Sequence, residues 1–145
     1  MNKIIKLLVT IYFSLLVSSV ALSIENFFDE ALKMYEQKEY DEARFMFERN
    51  IVFNPKDAKS YLYLAKIYKV KEDQKNEEKN LETTLLIDPT KEEAILMLME
   101  IGIKKTNYSK VKELSERFIK ICKNLCKKNE QILKDLENLE LKNES

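Results

Sequence analysis

The stretch that decides the fold is VFNP at residues 52–55, because it returns as LIDP at residues 86–89. The two prolines of the chain, Pro55 and Pro89, therefore stand 34 residues apart in matching contexts. A fixed period of this length indicates a helical repeat, in which each unit is too small to bury its own apolar face and must stack on a neighbour. The period predicts an array of helix pairs.

The composition predicts helices throughout. The 145 residues include one Gly, two Pro and no Trp, and residues that favour helices dominate. Apolar residues recur at spacings of three and four, as in Leu64, Ile67 and Tyr68, which gives each helix one buried stripe. We therefore expect an all-α chain with one compact domain and no room for a separate catalytic domain.

The period divides the chain into three units, 24–57, 58–91 and 92–122. Asp73 and Asn107 are good N-caps, also 34 residues apart, and each is placed to start the second helix of its unit.

A further start signal lies at the beginning of the third unit. Thr90 is followed three residues later by Glu93, a spacing typical of a capping box.

Two stretches carry a resemblance to a known family. They are YDEARFMF at 40–47, closing on Asn54-Pro55, and YLYLAKIY at 61–68. Over residues 24–122 the chain resembles the tetratricopeptide repeat (TPR) family. The resemblance implies two antiparallel helices per unit, stacked as a right-handed helical-hairpin solenoid of about three repeats.

The second and third units both depart from this pattern, the third most of all. Glu77 takes the small-residue place that Ala43 fills in the first unit, Gly102 replaces the aromatic supplied by Tyr68, and the third unit lacks the closing Pro. We therefore expect looser or tilted packing in the third unit.

Residues 1–23 predict a signal peptide. Two lysines precede an apolar run over 7–22, and the small residues Ala21 and Ser23 favour cleavage before Ile24. The alternative is an uncleaved membrane anchor, since the run is only just short of a spanning helix. We expect an exported protein of the periplasm or cell envelope.

The end of the chain, residues 123–145, predicts a capping helix and tail, because an array exposes an apolar end. Its apolar side holds Ile132, Leu133, Leu136 and Leu139. The alternative is self-association, since a heptad-like spacing, although over only two heptads, relates Leu125, Ile132, Leu136 and Leu139.

Cys122 and Cys126 flank the junction before this helix and are the only cysteines. An even number in an exported chain favours a disulfide. In a continuous helix their Cα atoms would lie near the upper limit for a bridge, so a bridge implies a turn.

The charge balance and the motifs exclude several classes of function. The chain has 25 basic and 25 acidic residues and no His, so it offers no overall field for nucleic acid and lacks the commonest general base and metal ligand. Phosphate-loop, nucleophile and zinc motifs are absent from the sequence. We expect no catalytic activity, no cofactor, no metal and no nucleic-acid partner, with membrane contact only through an uncleaved N-terminal segment.

The resemblance implies a partner on the concave face formed by the first helix of each unit. Carried onto this sequence, the face positions are Phe28, Leu32, Tyr35, Lys59, Leu62, Tyr63, Lys66, Leu96, Met97 and Glu100. Phe28 and Leu32 replace the Lys and Asn of the family's carboxylate clamp, so an acidic chaperone terminus is not the expected ligand.

The apolar and aromatic character of this face suits an amphipathic helix or an extended apolar peptide. The expected function is a non-catalytic scaffold or adaptor of the bacterial cell envelope. The alternative is a self-associating structural envelope protein that uses the C-terminal helix.

Overall fold

The computed structural model describes residues 27–143, which form seven α-helices and no strand. Helix α1 is described over 27–36, and the others are α2 (Tyr40–Phe53), α3 (Ala58–Val70), α4 (Gln74–Ile87), α5 (Glu92–Lys104), α6 (Tyr108–Ile119) and α7 (Cys126–Asn143). The all-α prediction is confirmed. The predicted signal peptide and its cleavage site lie outside the described residues, and among those described no helix is long and apolar enough to cross a membrane.

The described residues divide into two compact units, the first ending at Lys56 and the second beginning at Asp57, so the second unit contains both the second and the third predicted repeat. In the first unit, α1 and α2 pack through small and aromatic side chains. Ala31, Ala43 and Phe47 are fully buried, and the two alanines allow the helix axes to approach. Phe28 meets Phe47 edge-on, with ring centroids 5.6 Å apart.

The second unit is organised around α5. Eight of its 13 residues are buried, and they lie on every side of the helix. A helix that is apolar all round must be covered all round. Helices α4 and α6 both pack against α5, and α7 contacts both α5 and α6.

Gly102 sets how closely α5 and α6 approach each other. A Cβ atom at this position would lie 2.7 Å from Cγ2 of Val111, a distance too short for two carbons. The third predicted unit therefore departs from the pattern as expected, but by close contact at the glycine rather than by looser packing there.

The 34-residue period is also present in the backbone. Within residues 27–143, three residues have positive φ, and each ends the first helix of a pair: Lys38 (64°), Glu72 (58°) and Thr106 (54°). The following amide donates back to the carbonyl five residues earlier, as Asn107 does to Gly102 at 2.8 Å. This pattern is a Schellman turn, which normally has Gly at the left-handed position.

The N-caps predicted for the second helices are confirmed. The Asp73 side chain accepts from the Asn76 amide, and the Asn107 side chain accepts from the Lys110 amide. Each cap satisfies an amide that has no partner inside its own helix.

The capping box predicted at Thr90 is wrong. Helix α5 begins at Glu92 after Lys91, whose side chain makes no cap hydrogen bond. The Thr90 hydroxyl instead donates to the Asp88 carboxylate at 2.7 Å. Asp88 lies two residues earlier, in the turn that ends α4, and this local hydrogen bond competes with helix capping.

The turn before α7 is held by a disulfide and a carboxylate. Cys122 and Cys126 are bridged, with Cα atoms 5.5 Å apart, and the chain between them is not helical. The Glu92 carboxylate accepts from the amides of Lys123 (2.6 Å) and Leu125 (2.8 Å), and from that of Asn124.

These hydrogen bonds determine the pKa of Glu92. Burial acts to raise it, but the three amides and the charge of Lys123 outweigh burial, so the pKa lies below its ordinary value. Hydrogen bonds to the ionised form favour that form.

Glu77 shows the opposite shift. It is buried in α4 at the position where the first unit has Ala43, beside a cavity of about 300 Å³ that Lys69 and Lys104 also line. Burial raises its pKa, against the lowering effect of both lysines. The ionised form of Glu77 is thus disfavoured by folding.

Thr106→Gly should stabilise the protein by about 1 kcal/mol, because a β-branched residue is strained at positive φ and Gly is not. Thr83 is the matched control, because it is a threonine inside α4 whose hydroxyl donates to the Lys79 carbonyl. Thr83→Gly should cost roughly 0.5 to 1 kcal/mol. Urea unfolding measures both, and a loss of stability in Thr106→Gly would contradict the assignment of strain.

Glu92 and Glu77 should give stability opposite dependences on pH. Because folding lowers the pKa of Glu92, this group stabilises the fold at pH values above its unfolded pKa, and the stabilisation is lost as pH falls through the folded pKa. Because folding raises the pKa of Glu77, this group stabilises the fold below its unfolded pKa, and the stabilisation is lost as pH rises through the folded pKa. Glu92→Gln should therefore destabilise at neutral pH, and Glu77→Gln should stabilise there.

Both effects should shrink in acid, and urea midpoints at about pH 7 and about pH 3.5 measure them. Glu116→Gln, at an exposed position of α6, is the control for charge removal alone. The same sign for both variants at neutral pH would refute the opposite shifts.

Candidate functional site

The face of α3 that was predicted to bind a partner is placed by a strong helix start. The Asp57 carboxylate accepts from the Lys59 and Ser60 amides and from the Ser60 hydroxyl, the last at 2.6 Å. This N-cap fixes the first turn of α3. Lys59, Tyr63 and Lys66 then follow at spacings of four and three residues, so they lie on one face.

Tyr63 and Lys66 form the centre of this face. The Lys66 ammonium lies 4.6 Å from the centroid of the Tyr63 ring, within the range of a cation–π contact. The same ammonium lies 2.9 Å from the Glu93 carboxylate of α5. An aromatic ring, a cation and a carboxylate thus meet where α3 and α5 face each other.

A second ion pair continues the row toward the ends of the two helices. Lys69 of α3 lies 2.5 Å from the Glu100 carboxylate of α5. Sequence reasoning missed both pairs, although the available signal was lysines on one face helix and glutamates on the next. Lys66, expected to contact a partner, is already paired within the chain.

Three of the predicted face residues are packed inside the second unit. Leu62, Leu96 and Met97 are only 3%, 4% and 6% exposed and belong to its apolar core. Leu96 and Met97 are part of α5 itself, and Leu62 comes from α3. Their role as partner contacts stays a prediction, whereas their role in packing is observed.

The predicted face residues of the first unit pack toward α2. Phe28 contacts the fully buried Phe47, and Tyr35 meets Tyr40 edge-on at 5.6 Å. Leu32 is half-buried. Phe28 is half-buried and its ring contacts Phe47, so it helps to pack the helix pair, and its role as a partner contact stays a prediction.

The polar contacts of this face join α3 to α5. The Lys66–Glu93 pair is partly buried, with 20% of the lysine side chain and 44% of the glutamate side chain exposed. Within the described residues, no group of three or more His, Cys, Asp or Glu side chains is placed to hold a metal.

Structural comparison with known proteins identifies the fold, whereas sequence comparison finds no match. No family model and no curated protein matches the chain. The Yersinia enterocolitica type III secretion chaperone SycD, solved with a peptide of the translocator YopD, is 14% identical, with a TM-score of 0.71 over 83% of this chain and 95% of that one.

Two further solved structures have the same architecture. The Sgt2 TPR domain of Aspergillus fumigatus is 16% identical, with a TM-score of 0.68 over 81% of this chain and 82% of that one. The first TPR of Spaghetti (RPAP3), bound to the HSP90 peptide SRMEEVD, is 14% identical, with a TM-score of 0.66 over 79% of this chain and 93% of that one. The chain therefore has the all-α helical-hairpin fold of tetratricopeptide-repeat domains.

Proposed function

We propose that this protein is a non-catalytic interaction module, a scaffold or adaptor that binds a segment of another protein on the face carrying Tyr63 and Lys66. The observation that carries the proposal is the meeting of the Tyr63 ring, the Lys66 ammonium and the Glu93 carboxylate between α3 and α5. The fold supports it, since neighbours with this fold were solved with peptides of YopD and HSP90.

The chemistry of the face indicates the kind of segment bound. Tyr63 offers a half-buried ring, a common anchor at interfaces because it supplies a large contact area at a low entropy cost. Lys66 can exchange Glu93 for an acidic group of the partner. The preferred ligand is thus an amphipathic helix or an extended apolar peptide with a carboxylate near its apolar anchor.

The proposed place of action is the periplasm or cell envelope, with residues 1–23 as a cleaved signal peptide. The supporting observation is the sequence of that segment, in which two lysines precede an apolar run ending in small residues. The proposed organisation is three helix pairs, 24–57, 58–91 and 92–122, followed by the capping helix and tail at 123–145.

Helix α7 does not favour the self-association alternative. Its Leu136 is 2% exposed, and Ile132 and Leu133 pack against the same core. The apolar side of α7 is therefore used within the chain, where it covers α5 and α6.

Tyr63→Ala should weaken partner binding about thirtyfold or more, since an aromatic anchor typically contributes 2 kcal/mol or more. A photocrosslinking amino acid at position 63, in the native host, would first identify the partner, with the same group at the exposed Lys79 of α4 as the control. Titration of the purified partner then measures the affinity. Unchanged affinity in a folded Tyr63→Ala protein would place the binding face elsewhere.

Two phenylalanines separate binding from stability. Phe47→Ala should lower stability by roughly 3 to 5 kcal/mol, and Phe28→Ala should also destabilise because its ring packs on Phe47. Melting curves beside the titration distinguish the cases. If Tyr63→Ala melts as early as Phe47→Ala, Tyr63 is a core residue rather than an anchor.

A further inference from the structure

The junction between α6 and α7 is fixed by a disulfide and by hydrogen bonds to one carboxylate. The Cys122–Cys126 bridge closes a short loop, and the three residues inside that loop direct their amides to one carboxylate, that of Glu92. Glu92 lies in the first turn of α5, so this carboxylate fastens the loop to the central helix of the unit. We call the bridge together with Glu92 the clasp.

The two parts of the clasp depend on each other. A carboxylate can accept three consecutive amides only when the backbone curls around it, in the kind of concavity that binds anions. The disulfide restricts the loop to a curled shape by joining its two ends. Loss of the bridge leaves the amides free to turn toward water, and loss of the carboxylate leaves the loop closed but no longer fastened to α5.

Beyond the clasp, α7 is held by the buried Leu136 and by the partly buried Ile132 and Leu133, which pack on the same core. Among its side chains whose burial is described, residues 126–141, only Asn129 and Leu136 are buried. The Asn129 Oδ1 atom has no hydrogen-bond partner, and a buried oxygen without a partner opposes docking. Farther along, Lys112 pairs with Glu140 at 2.8 Å, but both side chains are partly exposed and such pairs contribute little.

We propose that the clasp makes α7 a redox-sensitive lid on α5 and α6. In the bridged form, Glu92 and the disulfide hold the start of α7 against α5, and Leu136 stays docked. A dithiol reductant opens the lid. Its thiolate attacks one Sγ, which forms a mixed disulfide and releases the other cysteine; the reductant's second thiol then attacks the mixed disulfide. Cys122 and Cys126 become thiols with two electrons and two protons from the reductant, which leaves as a disulfide. The apolar surface under α7 is then uncovered while α3 to α6 stay folded.

Trypsin cleavage after Lys134, which is exposed on α7, tests this lid in the full-length protein. Cleavage inside a helix requires local opening, so its rate reports the open fraction. In the double variant Cys122→Ser/Cys126→Ser, cleavage after Lys134 should be at least about tenfold faster than in the bridged protein. Cleavage after Lys79 of α4 is the internal control and should not change. Dithiothreitol should give the wild-type protein the rates of the double variant.

Two single variants separate the parts of the mechanism. Glu92→Gln with the bridge intact should speed cleavage after Lys134 severalfold, and should add little in the double variant, because the loop is already open there. Asn129→Leu should slow cleavage in the double variant, since it removes the unpartnered oxygen while keeping the number and branching of the side chain's heavy atoms.

Two outcomes would overturn the proposal. Equal cleavage after Lys134 with and without the bridge would show that the disulfide does not hold α7. A parallel rise at Lys79 would show that the second unit opens as a whole, without a separate lid.

Discussion

The second unit depends on one constraint, which is that α5 is apolar around its whole circumference. Its buried residues run without a break from Ala94 to Met99 and then include Ile101 and Gly102. No single neighbouring helix can cover such a surface. Helix α4 packs on it directly, α3 adds Leu62 and Ala65 to the same core through its contact with α4, and α6 and α7 cover the remaining sides. The glycine is part of this arrangement, because it lets Val111 approach where any side chain would stand in the way.

The same constraint explains where the polar contacts lie. The first turn of α5 carries Glu92 and Glu93, which point to different neighbours because adjacent helical residues diverge by about 100°. Glu92 fastens the bridged loop before α7, and Glu93 pairs with Lys66 on α3. The proposed binding face and the proposed lid therefore begin at neighbouring residues on the one helix that both require.

Much of the fold could be predicted because its signals are local. The spacing of Pro55 and Pro89 gave the period, and the caps at Asp73 and Asn107 gave two helix starts, since proline and cap residues act through their own backbone. The left-handed residues Lys38, Glu72 and Thr106 could not be found this way. None of them is Gly or Asn, so their residue types do not predict a positive φ, which is seen only in the folded Schellman turn.

The candidate site was less predictable because burial and pairing depend on distant neighbours. Leu62, Leu96 and Met97 occupy face positions by spacing, yet the need to cover α5 buries them. Phe28 also lies at a face position, yet its half-buried ring meets Phe47 of α2 edge-on. The partner of Lys66 lies 27 residues away on another helix, and spacing within α3 carries no information about it.

The central claim is that α3, α4, α5 and α6 are stable only together, because they share α5. Amide hydrogen exchange of the wild-type protein and of Met99→Ala tests this most directly, since Met99 is fully buried in α5 and its truncation should cost roughly 2 to 5 kcal/mol. The account predicts that α3, α4, α5 and α6 lose protection by the same factor. Loss confined to α5, with α3 and α6 as protected as before, would contradict it.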